Sequence, residues 1–379
     1  MILLTMAVLA TSLIDGSVRA EARGGNSVAG QDPSSLGLSA DLLCRASSPD
    51  GALRFGLSPS AVLAQGSRLF VRGFGEADLR LGGRGWARLR QALGYGTVDL
   101  SPLSTLAPSG PVPGAVQPPP ASRFVSVQES TTTLELEYAA SRRLRLASSA
   151  AWVVSGGVDA VARDALPLSR GPLFRANLDW AATRLDNLGM ELSGLDYRYS
   201  NGRRASVGSL TAAWRTQPWR DTELSVGLGP GIGRSQAPDQ PAATVLYAVG
   251  RADLRTTPVR DLSATFGAAI EPLGDPLSGD VVERGSLRTA AVWGRAGGVT
   301  LAARLIGSVA LTSGAAGLSS PQAGDRYLNG EVSVTVPLDA RSSLAAGARG
   351  AFLSRPLLDQ PSDQWIAFVS YGAQVPLFR

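Results

Sequence analysis

The stretch from Thr132 to Ser155 constrains the fold most strongly, because apolar and polar residues alternate along it with a period of two. Its first half alternates leucines with Glu135 and Glu137, and its second half alternates leucines with Arg143 and Arg145. A period of two is typical of a β-strand with one apolar and one polar face. Because a tight polar turn joins the two halves, the stretch predicts a β-hairpin whose two faces need different surroundings.

The same alternation recurs from Leu36 to Tyr371 in about seventeen segments. No segment after the N-terminus approaches the roughly 18 consecutive apolar residues of a membrane-spanning helix. Polar strand faces need water and apolar faces need an oily environment, and a membrane barrel around a wet lumen supplies both. Since single-chain bacterial barrels have an even number of strands, we predict an all-β fold, a transmembrane antiparallel up-and-down β-barrel of about 16 to 18 strands.

The connections between the segments alternate between short turns and long loops. The short turns recur about 40 residues apart, as two strands with one turn and one loop require. They lie near Ser141, Asp186, Pro218, Pro258, Gly297 and Ala340. Longer loops rich in Gly, Pro, Asp and Ser lie between them, except that Ser200–Arg203 contains an Asn-Gly pair, which predicts a type I′ hairpin turn. Short turns on one rim and long loops on the other are typical of outer-membrane barrels.

Residues 101–122 interrupt the alternation of apolar and polar residues and contain seven prolines. This is too many for a strand that is hydrogen-bonded within a sheet. The segment could be a linker between two domains, but alternation of the same character resumes at Phe124. We therefore expect a long Pro-rich loop within one barrel domain that covers residues 35–379.

The N-terminal residues predict export. Residues 1–20 contain an apolar run and end in Val18-Arg19-Ala20, a cleavage pattern typical of a secretory signal peptide. The segment departs from the usual form because no basic residue precedes the apolar run, and a buried N-terminal helix is the alternative. Residues 21–34 would then be a short polar lead-in, to which we assign no structure.

The composition argues against an enzyme. All 36 basic residues are Arg and His is absent, so a Ser-His or Asp-His site cannot be assembled. Cys44 is the single cysteine, which excludes an internal disulfide and a thiolate metal site. Glu135 with Glu137, or Asp253 with Glu271, could serve glycoside cleavage, but such carboxylates are ordinary in a barrel interior. We therefore expect no enzymatic activity, no cofactor and no metal.

The charge also bears on possible partners. The pI near 9.8 would permit nucleic-acid binding, yet the arginines are spread evenly instead of forming a basic run interleaved with aromatic residues. We therefore expect no nucleic-acid partner.

The polar strand faces supply candidates for the lining of the lumen. They are Arg143, Arg145, Arg175, Asn177, Asp179, Glu191, Arg215, Glu223, Arg251, Asp253, Asn329, Glu331 and Arg349. In one interpretation, these charges only satisfy one another across neighbouring strands. In the other, an Arg-rich corridor favours anionic or polyhydroxylated cargo and limits the leakage of small ions.

These features resemble the bacterial outer-membrane β-barrel class, which includes the porins. The resemblance covers Leu36 to Arg379 and is architectural, resting on the signal-like N-terminus, the alternating strands, the unequal loops and an aromatic final strand. It implies a location in the bacterial outer membrane, contact with its lipid, and assembly by the barrel-insertion machinery. That machinery reads a final strand that usually ends on Phe, whereas here Arg379 follows Phe378.

Among such barrels, the size and the mixed charges of the lumen are similar to those of the cellulose and alginate export barrels. This similarity implies a passage for secreted polysaccharide, with a periplasmic export component as a partner. A general diffusion porin is the closest alternative. From a different class, the chain could be a structural or adhesive surface barrel that uses residues 101–122 as a docking element.

Overall fold

The computed structural model describes residues 11–25, 35–63, 67–99, 124–274, 281–295, 297–311, 326–354 and 362–378. The strands in these ranges are β1 (Thr11–Gly25), β2 (Ser35–Ser48), β3 (Gly51–Leu63), β4 (Ser67–Leu81), β5 (Gly85–Asp99), β6 (Phe124–Ala139), β7 (Leu144–Gly157), β8 (Ser169–Ala181), β9 (Asp186–Tyr199), β10 (Arg204–Trp219), β11 (Thr222–Gln236), β12 (Ala243–Val259), β13 (Leu262–Gly274), β14 (Val281–Gly294), β15 (Thr300–Ala310), β16 (Arg326–Pro337), β17 (Ser342–Ser354) and β18 (Ser362–Phe378). One short helix, α1 (Ala160–Ala165), lies between β7 and β8. Within the described ranges, no helix has the length and apolarity needed to cross a membrane.

The strands form one closed antiparallel sheet. Each strand pairs with its neighbours in the chain, and β1 pairs with β18 on one side and with β2 on the other. A closed sheet satisfies backbone N–H and C=O groups between strands, as a wall in contact with lipid requires. The predicted all-β barrel is confirmed, and its eighteen described strands lie within the predicted range.

The seventeen predicted segments correspond to β2–β18, and β1 is the strand that the sequence analysis missed. β1 also alternates, since Val18 is half-exposed on the outer face while Arg19 and Glu21 lie on the inner face. The apolar run at the start of the chain conceals this pattern, because it has the composition of a signal peptide.

The position of β1 corrects the predicted start of the barrel. The first described strand begins at Thr11, before the predicted start at residue 35, and residues 21–25 form part of that strand where a lead-in without structure was expected. The rest of that lead-in, 26–34, lies outside the described residues. Removal of residues 1–20 as a signal peptide stays a prediction, and it would take residues 11–20, two thirds of β1, out of the sheet.

The outer face of the barrel is apolar and carries an aromatic girdle near each rim. Exposed aromatic side chains lie near the short-turn ends of the strands at Tyr138, Trp180, Trp214, Trp293 and Tyr371, and near the opposite ends at Tyr95, Trp152 and Trp365. Two such girdles flank the lipid-facing band of outer-membrane barrels.

The connections confirm the predicted alternation of lengths. Short turns join β2 to β3, and each later even-numbered strand up to β16 to the strand that follows it. The predicted Pro-rich loop at 101–122 lies outside the described residues; the strands before and after it, β5 and β6, end and begin at the opposite rim. The turn at 200–203 is not of type I′, because Gly202 has φ +80° while Asn201 has no positive φ. A type I′ turn needs positive φ at both positions.

Candidate functional site

The inner face of the barrel carries the predicted lumen residues. All of them lie on inward-facing strand positions except Arg143, which lies in the exposed turn between β6 and β7. Their action on any cargo stays a prediction.

Four pairs of the predicted residues meet across or along the wall: the Glu331–Arg349 pair, described below, and three others. Nε of Arg175 lies 3.2 Å from Glu191, Nε of Arg215 lies 3.5 Å from Glu223, and Nε of Arg251 lies 3.3 Å from Asp253. Asp253 also accepts a 2.6 Å hydrogen bond from Arg288, which was not predicted. Asn329 donates to the hydroxyl of Tyr327 at 2.9 Å.

Two predicted residues face each other without meeting. Arg145 of β7 lies opposite Asp179 of β8 in the strand register, but neither forms an ion pair with a described residue. Asn177 of β8 lies opposite Glu191 of β9 in the pairing of those two strands.

A larger group, here called the closing network, joins the last strands of the barrel to the first. It consists of Arg19, Glu21, Arg23, Arg304, Glu331 and Arg349. Arg349 of β17 donates to Glu331 of β16 at 2.9 Å and to Glu21 of β1 at 3.0 Å. Its guanidinium group crosses β18 above the ring of Phe368, with 4.2 Å between the guanidinium carbon and the ring centroid. Such stacking supports a cation that is largely removed from water.

The closing network carries a net positive charge within the lumen, since it contains four arginines and two glutamates. Glu21 receives hydrogen bonds from Arg19 at 2.9 Å and Arg23 at 2.7 Å, in addition to Arg349. The side chains of Glu21 and Arg349 are only 6% and 10% exposed, so their attraction is screened much less than that of a surface pair.

A second network lies on β3–β6 and is acidic. Arg54 lies 3.0 Å from Glu76, and Arg88 lies 2.5 Å from Asp78 and 3.5 Å from Glu135. Two arginines therefore form ion pairs with three carboxylates, which leaves a net negative charge on this network. Of the residues in the two networks, the predicted lumen lining included only Glu331 and Arg349. The other members also lie at the polar positions of alternating strands, so the same pattern could have identified them.

The mouth, defined as the long-loop end of the lumen, is narrowed on one side by α1. Ala162 and Leu166 are buried against inward-facing side chains of β4, β5 and β6, among them Phe70 and Val98. Asp159 begins the helix by accepting a 2.8 Å hydrogen bond from the backbone N–H of Ala162.

The position of α1 depends on the glycine at the end of β7. A Cβ atom at Gly157 would lie 2.3 Å from the backbone of Ala162, so only glycine allows the helix to lie this close to the strand.

The opposite side of the mouth is narrowed by the end of the β13–β14 hairpin. β13 pairs with β12 only as far as Ile270, and its last residues pair with β14 alone. Val281 then packs in a buried cluster with Tyr197, Tyr199 and Tyr247 of the barrel wall. The hydroxyl of Tyr247 donates to the carbonyl of Val281 at 2.7 Å, which holds the end of the hairpin inside the mouth.

A pocket of about 220 Å³, lined by both polar and apolar side chains, lies on the wall below this hairpin. Its lining includes Arg175, Glu191, Tyr197, Ser209, Arg251 and Glu271. It therefore offers hydroxyl groups, an aromatic ring and both signs of charge. Among the described residues, no group of three or more acidic or cysteine side chains is arranged to hold a metal ion.

A search of protein families matches residues 90–375 to the EpsX exopolysaccharide export family. Among curated proteins, no relative of this sequence is found.

Solved barrels have a similar architecture. The structure of Acinetobacter baumannii OccAB4 has a TM-score of 0.52 at 10% identity and covers 97% of this chain and 99% of its own. Pseudomonas aeruginosa OccK11 (OpdR) has a TM-score of 0.51 at 12% identity, over 97% of this chain and 96% of its own. Pseudomonas aeruginosa OccK2 (OpdF), solved with glucuronate, has a TM-score of 0.50 at 13% identity, over 97% and 98%. At these identities the similarity establishes the fold alone.

Proposed function

Because the chain belongs to the EpsX exopolysaccharide export family, we propose that its barrel is the passage through which a secreted polysaccharide crosses the outer membrane. The observation that carries this proposal is the inner wall, where arginines and carboxylates on neighbouring strands are paired, and where one such pair, Arg175 and Glu191, lines a pocket together with the hydroxyl groups of Tyr197 and Ser209. Paired charges present hydrogen-bond donors and acceptors to a passing chain while reducing the attraction for single ions.

The narrowed mouth favours an export passage over a general diffusion porin. A porin keeps an aqueous channel open to small solutes, whereas here α1 and the β13–β14 hairpin occupy two sides of the mouth. A polymer that leaves the cell needs a gated exit, because a permanently open one would also admit small solutes. A structural or adhesive barrel without transport is the remaining alternative.

We propose two kinds of partner and no catalytic role. The barrel-insertion machinery would recognise β18 during assembly, and a periplasmic export component would deliver the polymer to the short-turn rim. Both termini of the described sheet lie at that rim, since Thr11 pairs with Ser47 and Phe378 pairs with Ile14.

Planar-bilayer or liposome conductance, combined with sugar-flux assays, tests the proposal. We expect a small, gated conductance, slow entry of small sugars, and loss of surface polysaccharide when the gene is deleted. Complementation with Arg175→Gln/Glu191→Gln should restore the polysaccharide poorly, whereas the matched pair Arg215→Gln/Glu223→Gln, outside the pocket lining, should restore it well. Free diffusion of sugars would support a porin, and the absence of any pore would support a structural barrel.

A further inference from the structure

Four arginines lie on the outer surface of four consecutive strands, close to the long-loop rim. They are Arg170 of β8, Arg198 of β9, Arg204 of β10 and Arg234 of β11, here called the rim arginine cluster. Each is exposed and lies at an even-numbered position of its strand. The even positions of these strands also carry the exposed apolar side chains of Phe174, Leu192, Leu210 and Ile232. The cluster therefore faces outward, at the border of the apolar belt.

The strand register brings these like charges together. Arg170 lies directly opposite Arg198, and Arg198 lies directly opposite Arg204. Arg234 lies opposite Ser206, two residues from Arg204. Directly opposite residues have their Cβ atoms roughly 5 Å apart, and like charges in that position destabilise a sheet.

Among the described residues, one carboxylate, Asp196, compensates this cluster: it forms an ion pair with Arg204 and also attracts Arg198. Asp196 accepts two 2.7 Å hydrogen bonds from Arg204 and one of 2.6 Å from Ser206. Arg170, Arg198 and Arg234 form no ion pair with any residue that the structure describes. Four arginines thus share one carboxylate, and the cluster keeps a net positive charge where the apolar surface ends.

We propose that the rim arginine cluster binds the phosphate groups of a phosphorylated glycolipid in the outer leaflet of the membrane. Outer-membrane barrels place their longer loops outside the cell, so the cluster lies at the depth of the outer headgroups, with acyl chains against the apolar side chains below it. Guanidinium groups bind phosphate oxygens in a bidentate manner, and an anion between the strands removes the repulsion that the register creates. The inference does not rest on the proposed transport function.

The test compares the binding of lipopolysaccharide by the full-length protein in detergent. The cluster variant is Arg170→Gln/Arg198→Gln/Arg234→Gln, which leaves the Arg204–Asp196 pair intact. The matched control removes three exposed arginines from short turns, Arg142→Gln/Arg220→Gln/Arg260→Gln. Binding is measured with lipopolysaccharide, with the same glycolipid after enzymatic dephosphorylation, and with inorganic pyrophosphate, and heat-modifiable migration verifies that each variant is folded.

We expect the cluster variant to bind lipopolysaccharide roughly a hundredfold more weakly, since each arginine near an anionic surface contributes about a fivefold change. The control should bind as the unmodified protein does, and dephosphorylation should remove most of the difference between the two variants. Equal binding by the cluster variant and the control overturns the proposal. Pyrophosphate binding of the same strength as lipopolysaccharide binding also overturns it, because the site would then recognise the anion and not the lipid.

Discussion

Arg349 of β17 and Glu21 of β1 form a 3.0 Å ion pair although 328 positions separate them in the chain and β18 lies between their strands. The pair therefore ties the last part of the barrel to the first strand on the inside of the wall. Backbone pairing between β1 and β18 closes the sheet. The contact between Arg349 and Glu21 additionally favours β1 over other strands as the partner of β18.

Glu21→Gln should lower the stability of the barrel by about 3 kcal/mol, because it removes the buried carboxylate that Arg19, Arg23 and Arg349 share. Unfolding by urea in lipid vesicles, followed by tryptophan fluorescence, measures the change. Glu223→Gln is the matched control, since both partners of the Arg215–Glu223 pair are nearly half exposed and such pairs contribute less than about 1 kcal/mol. Similar small losses in both variants would mean that Glu21 is not in the closing network.

The protein extracted from the outer membrane should retain residues Thr11–Ala20, because all of them pair with β2 and those from Ile14 onward pair with β18 as well. Mass spectrometry of peptides from the folded protein checks this directly. A variant without residues 11–20 should lose the folded, heat-modifiable form, since only five residues of β1 would remain to close the sheet. A folded barrel that begins at Glu21 would contradict the pairing and support the predicted signal peptide.

The alternation of residues was enough to predict most of the wall. Strand faces are set by local periodicity, so the leucines and charges around Glu135 and Glu191 could be assigned to opposite sides without any tertiary information. β1 was missed because apolar composition near an N-terminus fits an export signal as well as a strand.

The closing network and the narrowing of the mouth could not be predicted in the same way. Strand alternation places Glu21 and Arg349 on the inner face of the wall. It does not reveal that β1 and β17 come close together when the sheet closes, with only β18 between them. α1 lies in a segment rich in turn residues, and its inward position depends on contacts with Phe70 and Val98, far away in the sequence.

Asp339 should make the stability of the β16–β17 turn depend on pH. Its carboxylate accepts hydrogen bonds from the Ser342 hydroxyl at 2.7 Å and from the backbone N–H groups of Arg341 and Ser342 at 2.6 and 2.8 Å. The Ser342 hydroxyl first, and then the backbone N–H of Arg341, hold the pKa of this carboxyl below its ordinary value. A lowered pKa contributes stability above the ordinary Asp value of about 3.9, and this contribution is lost as the pH falls through the folded-state pKa.

Asp339→Asn should therefore unfold more readily than the unmodified protein at pH 7, with the difference shrinking as the pH falls below about 4. Urea unfolding midpoints at several pH values measure it. Asp221→Asn, in the turn between β10 and β11, is the control, because that carboxylate accepts no hydrogen bond from a described residue. A difference that does not change with pH would contradict the role of the Asp339 charge.

Leu166→Asn should release α1 from the wall and increase the conductance of the channel. The Leu166 side chain is 5% exposed among apolar residues, and a buried amide without partners costs about 1 to 3 kcal/mol, enough to favour the displaced helix. Val161→Asn is the matched control, since Val161 lies on α1, which Leu166 directly follows, but is 73% exposed. Single-channel recordings should show longer or larger openings for Leu166→Asn and unchanged openings for Val161→Asn. If both variants conduct as the unmodified protein does, α1 does not limit the passage, and the gate belongs to another part of the mouth.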